Sequence, residues 1–134
     1  TTSSEGSDRE TLALSGNQDS LISAIGAANS KTIVVMNIPG AILMPWLSEV
    51  PAVLASWMPG QEAGNALSDV LFGKINPSAR LPVTMPNKDN EIGFTKDEFP
   101  GTGFPPEAAY DEKLLIGYRW YDAYNVTPVF PFGY

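Results

Sequence analysis

The sequence predicts an α/β fold, in the form of a three-layer sandwich whose mainly parallel sheet is flanked by helices. Helical and strand patterns alternate from residue 17 to residue 73, an order typical of parallel strands joined by helices. The two strand-like runs are continuously apolar, as expected for strands that are covered on both faces. Because two strands bury little surface, we expect the chain to hold only the later part of the complete domain.

The first helix is predicted to begin near Gln18, where Asn17 or Ser15 can cap it, and to end at Asn29 and Ser30. Its apolar positions recur at helical spacing: Leu21, Ile22, Ile25 and Ala28. This helix should therefore present one apolar face.

Four more elements are predicted before residue 74. They are strands at residues 31–38 and 52–57 and helices at residues 41–50 and 61–72. Pro45 lies near the first turn of the shorter helix, a position that proline tolerates. Gly73 is well placed to end the longer one, because glycine readily adopts the left-handed conformation found just beyond helix ends.

The character of the chain changes after Gly73. Residues 74–109 are rich in Pro, Gly and Asn, with one short predicted strand over residues 80–85. Residues 110–134 carry a dense aromatic set: Tyr110, Tyr118, Trp120, Tyr121, Tyr124, Phe130, Phe132 and Tyr134. We therefore divide the chain into α/β units over residues 1–86, followed by a long loop and an aromatic C-terminal segment over residues 87–134.

Composition excludes several classes of function. The 134 residues include 15 acidic and 8 basic ones, and the resulting net charge of −7 disfavours binding to nucleic acid. No apolar run approaches the length of a membrane span, so we expect no membrane partner. The chain has no Cys and no His, which excludes disulfides, thiolate metal sites and a histidine-dependent nucleophile within it. Acid–base chemistry must then rest on Asp, Glu, Lys or Tyr, and no cofactor is indicated.

The stretch from Tyr110 to Asp122 carries the most informative candidate, Glu112. This carboxylate precedes an apolar run and a group of aromatic residues around Arg119. A carboxylic acid near apolar groups can retain a proton and donate it to a glycosidic oxygen. Glycoside hydrolysis normally uses two carboxylates, however, and only one is clearly placed here. A lone Glu beside Lys113 is also, on base rates, an ordinary surface residue.

Two other segments have both a functional and a purely structural interpretation. Residues 5–10 form a charged loop in which Asp8 and Arg9 can pair locally, or which can line a site at the carboxyl end of the sheet. Residues 60–64 open a helix after a strand, as anion sites do, but they match no nucleotide-binding motif. We interpret Gly60 as a turn residue and Gly64 as a place of close helix packing.

Taken together, the segments resemble the C-terminal part of the family 3 glycoside hydrolases, the β-glucosidase group. The matching segments occur in family order and cover nearly the whole chain: EGSDR (5–9), TIVV (32–35), PGAILMPW (39–46), WMPGQEAGNA (57–66), DVLFG (69–73), NPSARLPVT (76–84), YDE (110–112), GYRWYD (117–122) and FPFG (130–133). The chain differs from many members by Lys113, where they have Gly, and by ending at Tyr134, where they continue.

The resemblance implies a barrel-like first domain, absent from this chain, followed by the α/β sandwich domain to which these residues correspond. It places the active site between the two domains and the nucleophilic Asp in the first. It implies that Glu112 is the general acid/base of a retaining β-glucosidase acting on terminal β-D-glucosyl residues. A secreted or periplasmic location would be usual for the family.

The expected partners follow from this assignment. They are a β-glucoside or oligosaccharide substrate and the missing barrel domain or another subunit, and self-association through uncovered apolar faces is a further expectation. This chain alone should be inactive, since it lacks one carboxylate. Two alternatives stay open: a non-catalytic carbohydrate-binding or interaction module, and a fragment whose aromatic residues only form a core.

Overall fold

The structure, a computed structural model, describes Gly6 and residues 8–134. The chain divides into two compact units, Thr1–Arg80 and Leu81–Tyr134. The helices and strands are α1 (Gln18–Ala28), β1 (Ile33–Met36), a 3₁₀ helix (Leu47–Glu49), β2 (Ala52–Ala55), α2 (Ala63–Leu71) and α3 (Tyr118–Tyr124). The first five belong to the first unit and α3 to the second. None of the helices within the described residues is long and apolar enough to cross a membrane.

The two strands pair in parallel, which confirms the predicted α/β class. The register runs from Ile33 opposite Ala52 to Met36 opposite Ala55. Two further backbone bonds, from the Ser56 amide to the Met36 carbonyl at 2.9 Å and from the Ile38 amide to the Trp57 carbonyl at 3.0 Å, extend the contact past the carboxyl ends of the strands. The predicted helices at residues 18–28 and 61–72 are also confirmed, and Gly73 ends α2 with φ +72°.

The core of the first unit comes from the connection between the strands. Among the described residues of this unit, the buried side chains fall between residues 36 and 50: Met36, Ile38, Ile42, Met44, Trp46 and Val50. Trp46 and Ile42 are fully buried. The Trp46 indole N–H donates to the Asp19 carboxylate in α1 at 2.7 Å, which satisfies the polar atom of a buried ring. The connection is thereby fixed against α1.

The helix predicted over residues 41–50 is wrong, because only Leu47–Glu49 form a single 3₁₀ turn. Pro45 lacks an amide donor and disfavours helical geometry at Met44 before it. The Leu43 amide is used elsewhere, since it donates to the Leu12 carbonyl at 3.0 Å. The segment therefore keeps its apolar side chains buried without being helical.

Burial was overestimated for both faces of the sheet and for α1. Ile33 in β1 is 50% exposed, and Leu21 in α1 is 59% exposed. A sheet of two strands leaves much of its surface uncovered, so continuous apolar sequence does not become continuous burial. Asn17 occupies the cap position of α1, but its side chain makes no capping bond there.

The second unit is organised by antiparallel contacts and one short helix. The strand predicted over residues 80–85 is not formed, and Met85 makes only a single antiparallel bridge with Phe130. Bonds between Leu81 and the last two residues extend this contact, at 2.8 Å from the Gly133 amide and 3.2 Å to the Tyr134 carbonyl. α3 was not predicted. It starts after Gly117 and ends at Asn125, which has φ +51°.

Gly26 allows α1 to approach the 3₁₀ helix, and we predict that Gly26→Ala destabilises the protein. A Cβ at Gly26 would lie 2.9 Å from the Glu49 carbonyl oxygen and 3.2 Å from Val50 Cγ1. Overpacking of this kind costs about 1–3 kcal/mol, more than the roughly 0.5–1 kcal/mol that Ala gains over Gly in a helix. The matched control is Gly64→Ala in α2, where a Cβ meets nothing within 4 Å. Urea unfolding should show lower stability for the first variant and higher stability for the second, and equal gains in both would contradict the packing argument.

Candidate active site

Glu112 lies in a pair of overlapping turns that precede α3. The Lys113 amide donates to the Tyr110 carbonyl at 3.1 Å, and the Leu115 amide donates to the Glu112 carbonyl at 2.8 Å. Lys113 itself has φ +52°, an unusual conformation for a residue other than glycine. Glycine adopts this conformation without strain, so the Gly that the resemblance leads us to expect at this position would have a backbone cause.

One carboxylate oxygen of Glu112 is buried and unpaired. Its Oε2 atom has no hydrogen-bond partner, although the residue as a whole is half-buried. Burying an acceptor in this way costs about 1–3 kcal/mol, and native proteins keep few such atoms without a functional reason. Glu112 therefore combines partial burial with an oxygen that no protein group uses.

The neighbouring lysine does not neutralise this carboxylate. Lys113 is exposed, and the described residues show no ion pair between Lys113 and Glu112. Lys113 therefore forms no salt bridge with Glu112, although a lysine next in sequence would suggest one.

The aromatic side chains of the second unit mostly contact one another. Tyr118 stacks on Phe132 with ring centroids 5.4 Å apart, and Phe130 lies 4.8 Å from Tyr134. Trp120 contacts two tyrosines, Tyr121 edge-on and Tyr124 at a tilt, each at 5.2 Å. Tyr110, two residues before Glu112, is instead 76% exposed. The aromatic set is therefore partly a small packed cluster and partly accessible surface.

A second carboxylate, Glu91, is fully used by the protein. Its Oε2 accepts from the Tyr121 hydroxyl at 2.8 Å and from the Asn87 amide at 2.9 Å, while Oε1 accepts from Asn87 Nδ2 at 2.9 Å. Burial acts to raise the pKa of Glu91, but the bonds from Asn87 and Tyr121 and the charge of Lys88 outweigh it, so the net pKa is lowered. Burial first, and then the bond to Glu91, raise the pKa of Tyr121 far above its ordinary value.

In the first unit, polar groups gather at the carboxyl ends of the two parallel strands. Ser56, after β2, donates to the side chain of Asn37, after β1. Trp57 follows with φ +55°, a strained conformation for a bulky residue and one that is often retained at functional sites. Arg9 donates to the Ala41 carbonyl at 3.1 Å, which brings the predicted charged loop beside the segment that follows β1.

The structure tests the prediction for the charged loop of residues 5–10 only in part. Arg9 makes its side-chain bond to the backbone of Ala41, and the described residues show no ion pair between Arg9 and Asp8. Glu5 and Ser7 lie outside the described residues. Ligands of open α/β sheets bind at this end of the strands, so the site-lining interpretation of residues 5–10 stays a prediction with a favourable location.

An apolar cleft of about 430 Å³ lies between the sheet and α2 in the first unit. Val35 and Leu54 line it from the strands, and Leu67 and Val70 line it from the helix. The close packing predicted for Gly64 is not observed, because a Cβ there would meet nothing within 4 Å. The described residues contain no group of three or more side chains suited to holding a metal ion.

The contact between Glu91 and Tyr121 was missed by the sequence analysis. The two residues are 30 positions apart, and Glu91 stands in a segment of Pro, Asn and Asp with no periodic pattern. A pairing of this kind leaves no local signal. The only hint was that Tyr121 sits in a run of aromatic residues, where a buried hydroxyl needs a partner.

With this geometry established, the relationship to known proteins is clear. The family described as glycosyl hydrolase family 3 C-terminal domain matches residues 1–134. The chain therefore belongs to glycoside hydrolase family 3 and corresponds to its C-terminal domain.

Relatives and solved structures agree with this family. The chain is 44% identical over 132 residues to a beta-glucosidase of Rhizobium radiobacter, with 97% of the chain and 16% of that protein covered. It is 40% identical over 133 residues to beta-glucosidase BoGH3A of Bacteroides ovatus, covering 97% and 18%. The structure is similar to DesR, a beta-glucosidase from Streptomyces venezuelae solved with D-glucose, with a TM-score of 0.91, 44% identity and coverage of 97% and 17%.

A beta-glucosidase from Kluyveromyces marxianus, solved with glucose, is also similar, with a TM-score of 0.84, 33% identity and coverage of 97% and 15%. The chain thus spans between 15% and 18% of the length of these four proteins. The fold and family are those of the C-terminal domain alone.

The unpaired oxygen of Glu112 predicts a conflict between stability and function. Replacing Glu112 by Met, an apolar residue of similar length, removes the buried acceptor and should raise the free energy of unfolding by about 1 kcal/mol. The control is Asp111→Ala at the exposed neighbouring position, which should change stability by less than about 0.5 kcal/mol. Chemical denaturation measures both, and a Met variant less stable than the starting protein would show that the carboxylate has a structural partner.

Proposed function

We propose that the protein to which this chain belongs is a retaining β-glucosidase and that the chain supplies its general acid/base, Glu112. The family membership and the beta-glucosidase names of the relatives support the reaction class. The glucose in two of the similar solved structures supports the sugar. The buried, unpaired Oε2 atom of Glu112 is the single observation on which the residue assignment depends.

The chemistry requires two carboxyl groups about 5–5.5 Å apart. In the first step one carboxylate attacks the anomeric carbon while Glu112, in its acid form, transfers its proton to the leaving glycosidic oxygen. In the second step Glu112, now ionised, removes a proton from the water that cleaves the glycosyl-enzyme. The nucleophile is an Asp in the first domain, so neither part is active alone.

The environment of Glu112 suits the acid role. A general acid must present its carboxyl group to the substrate and not to neighbouring protein groups. Glu112 has partial burial and no ion pair among the described residues, whereas Glu91 is held by several donors. Among the partly buried acids of the second unit, Glu112 keeps an oxygen that no protein group uses, whereas Glu91 and Glu98 accept bonds from neighbouring residues.

The competing candidate is a carboxylate of residues 5–10. Arg9 lies beside the segment that follows β1, at the sheet edge where ligands of α/β folds bind. Asp8 adjoins Arg9, and Glu5 stands four positions before Arg9 in the sequence. A catalytic assay must therefore compare Glu112 with Glu5 and not only with an inert surface position.

A non-catalytic carbohydrate-binding module is the second candidate function. It is favoured by the exposed ring of Tyr110, at 76%, and that of Tyr124, at 60%, because such faces can stack on sugars. Calorimetric titration of the 134-residue chain with cellobiose distinguishes the two functions. Binding by the isolated chain, together with full activity of a protein that lacks it, would favour the module.

In the full-length protein, Glu112→Gln should reduce kcat on an alkyl β-glucoside about 10²–10⁴-fold, because the leaving group then departs without a proton. The loss should be smaller for an aryl glucoside with an acidic phenol, whose departure needs less protonation, and added azide should restore turnover by attacking the glycosyl-enzyme without base assistance. Steady-state kinetics with both substrates, and with the purified 134-residue chain as an inactive control, measure this.

Glu5→Gln and Asp111→Asn are the matched comparisons. Asp111→Asn should keep kcat within about two-fold, as expected for an exposed side chain. If the loss, the leaving-group dependence and the azide rescue occur in Glu5→Gln instead, the acid/base role belongs to the loop of residues 5–10 and the assignment to Glu112 is overturned.

A further inference from the structure

The helix that follows Glu112 cannot be stable by itself. α3 has only seven residues, its cap position is Gly117 without a side-chain capping bond, and its first turn has no acidic residue. Helices of this length are unstable in water and depend on tertiary contacts. Tyr121 is the buried residue of α3, being 5% exposed, and its side chain anchors the helix.

The Tyr121 hydroxyl donates to the carboxylate of Glu91, and the donors around that carboxylate require an acceptor at both oxygen positions. Donors face both oxygens: the Asn87 amide and the Tyr121 hydroxyl at Oε2, and Asn87 Nδ2 at Oε1. Asn87 Nδ2 also donates to the Thr127 carbonyl at 3.0 Å, which fixes the orientation of that side chain. A Gln at position 91 would turn its own N–H donors towards one of these donors, because only a carboxylate accepts with both atoms.

Two consecutive hydrogen-bonded turns connect α3 to Glu112. Bonds from the Arg119 amide to the Ile116 carbonyl at 3.2 Å and from the Leu115 amide to the Glu112 carbonyl at 2.8 Å leave no long flexible linker between them. A shift of α3 about its buried tyrosine therefore moves the turns that hold the candidate acid/base.

We infer that Glu91 is a positioning residue whose carboxylate, through Tyr121, holds α3 and the segment carrying Glu112 in place. The part that concerns Glu112 rests on the proposed function, whereas the hold on α3 does not. The groups acting on Glu91 are the amide and side chain of Asn87, the Tyr121 hydroxyl and the charge of Lys88.

The stabilisation of α3 by Glu91 depends on pH, and the direction of this dependence follows from the lowered pKa of Glu91. The folded-state pKa of Glu91 lies below its ordinary value of 4.5. The stabilisation is therefore fully present above the unfolded-state pKa and is lost as the pH falls through the lower folded-state pKa. A neutral carboxyl at position 91 would bring a donor against the donors of Asn87 and Tyr121.

Glu91→Gln in the full-length protein tests the inference. We expect loss of near-ultraviolet circular dichroism from the aromatic residues around α3 at neutral pH, with far-ultraviolet dichroism retained. We also expect kcat to fall on the order of ten-fold while KM changes by less than about two-fold, since misplacement of a catalytic group affects turnover more than binding. Below pH 4.5 the unmodified protein should approach the variant's near-ultraviolet spectrum, and the variant's spectrum should stay unchanged.

Glu98→Gln is the matched control. Glu98 also accepts two bonds in the same segment, from the Thr95 amide and the Thr95 hydroxyl at 2.8 Å each, and these bonds also lower the pKa of Glu98, but they reach only a neighbour in sequence. Its spectrum and kcat should be unchanged. Tyr121→Phe, which removes only the hydroxyl, should share the changes of Glu91→Gln in weaker form and serves if Glu91→Gln does not fold.

The possible results separate the two proposals. Spectral change in Glu91→Gln together with full activity in Glu112→Gln would keep the hold on α3 and overturn the catalytic assignment. A normal near-ultraviolet spectrum and a kcat within two-fold in both Glu91→Gln and Tyr121→Phe would overturn the inference, whatever the result for Glu112.

Discussion

The buried indole of Trp46 is the contact on which the first unit depends. Two parallel strands cannot be joined by a tight turn, so the chain must leave the sheet and return. In this protein the connection makes that return without an α-helix, and its own side chains become the core. The bond from Trp46 to Asp19 attaches this irregular connection to α1 and satisfies the one polar atom that the buried ring introduces. The bridge from Arg9 to Ala41 depends on the same segment being held in place.

In the second unit, a carboxylate stabilises segments that have little regular secondary structure. Its antiparallel contact at Met85 is a single bridge and its helix has seven residues, so regular secondary structure contributes little stability. Glu91, bonded from both sides, connects the irregular stretch around Asn87 to the buried ring of Tyr121. In both units a polar bond to an acidic side chain orders a segment that backbone pairing alone would leave free.

Sequence reasoning was reliable where one local signal determines the result. The parallel strands follow from β-branched runs, and the end of α2 follows from Gly73, whose left-handed φ few other residues accept. It failed where tertiary context decides: the apolar run that contains Pro45 became core without becoming an α-helix, and α3 formed in a segment with no clear periodicity. Burial was overestimated because periodicity shows which face is apolar, not whether another element covers it.

In the candidate site, the sequence likewise indicates a residue, and only the structure shows its environment. Motif order singled out Glu112, but only the structure shows its unpaired buried oxygen, the observation that supports the proposed acid role. Glu91 has the same side chain in the same unit, yet its environment of donors favours the charged form. The two carboxylates are therefore suited to different tasks: Glu91 holds structure through the donors around it, and Glu112 keeps an oxygen that no protein group uses. Retaining glycosidases need this contrast, since the acid must be placed within a few ångströms of the nucleophile by groups that do not themselves take its proton.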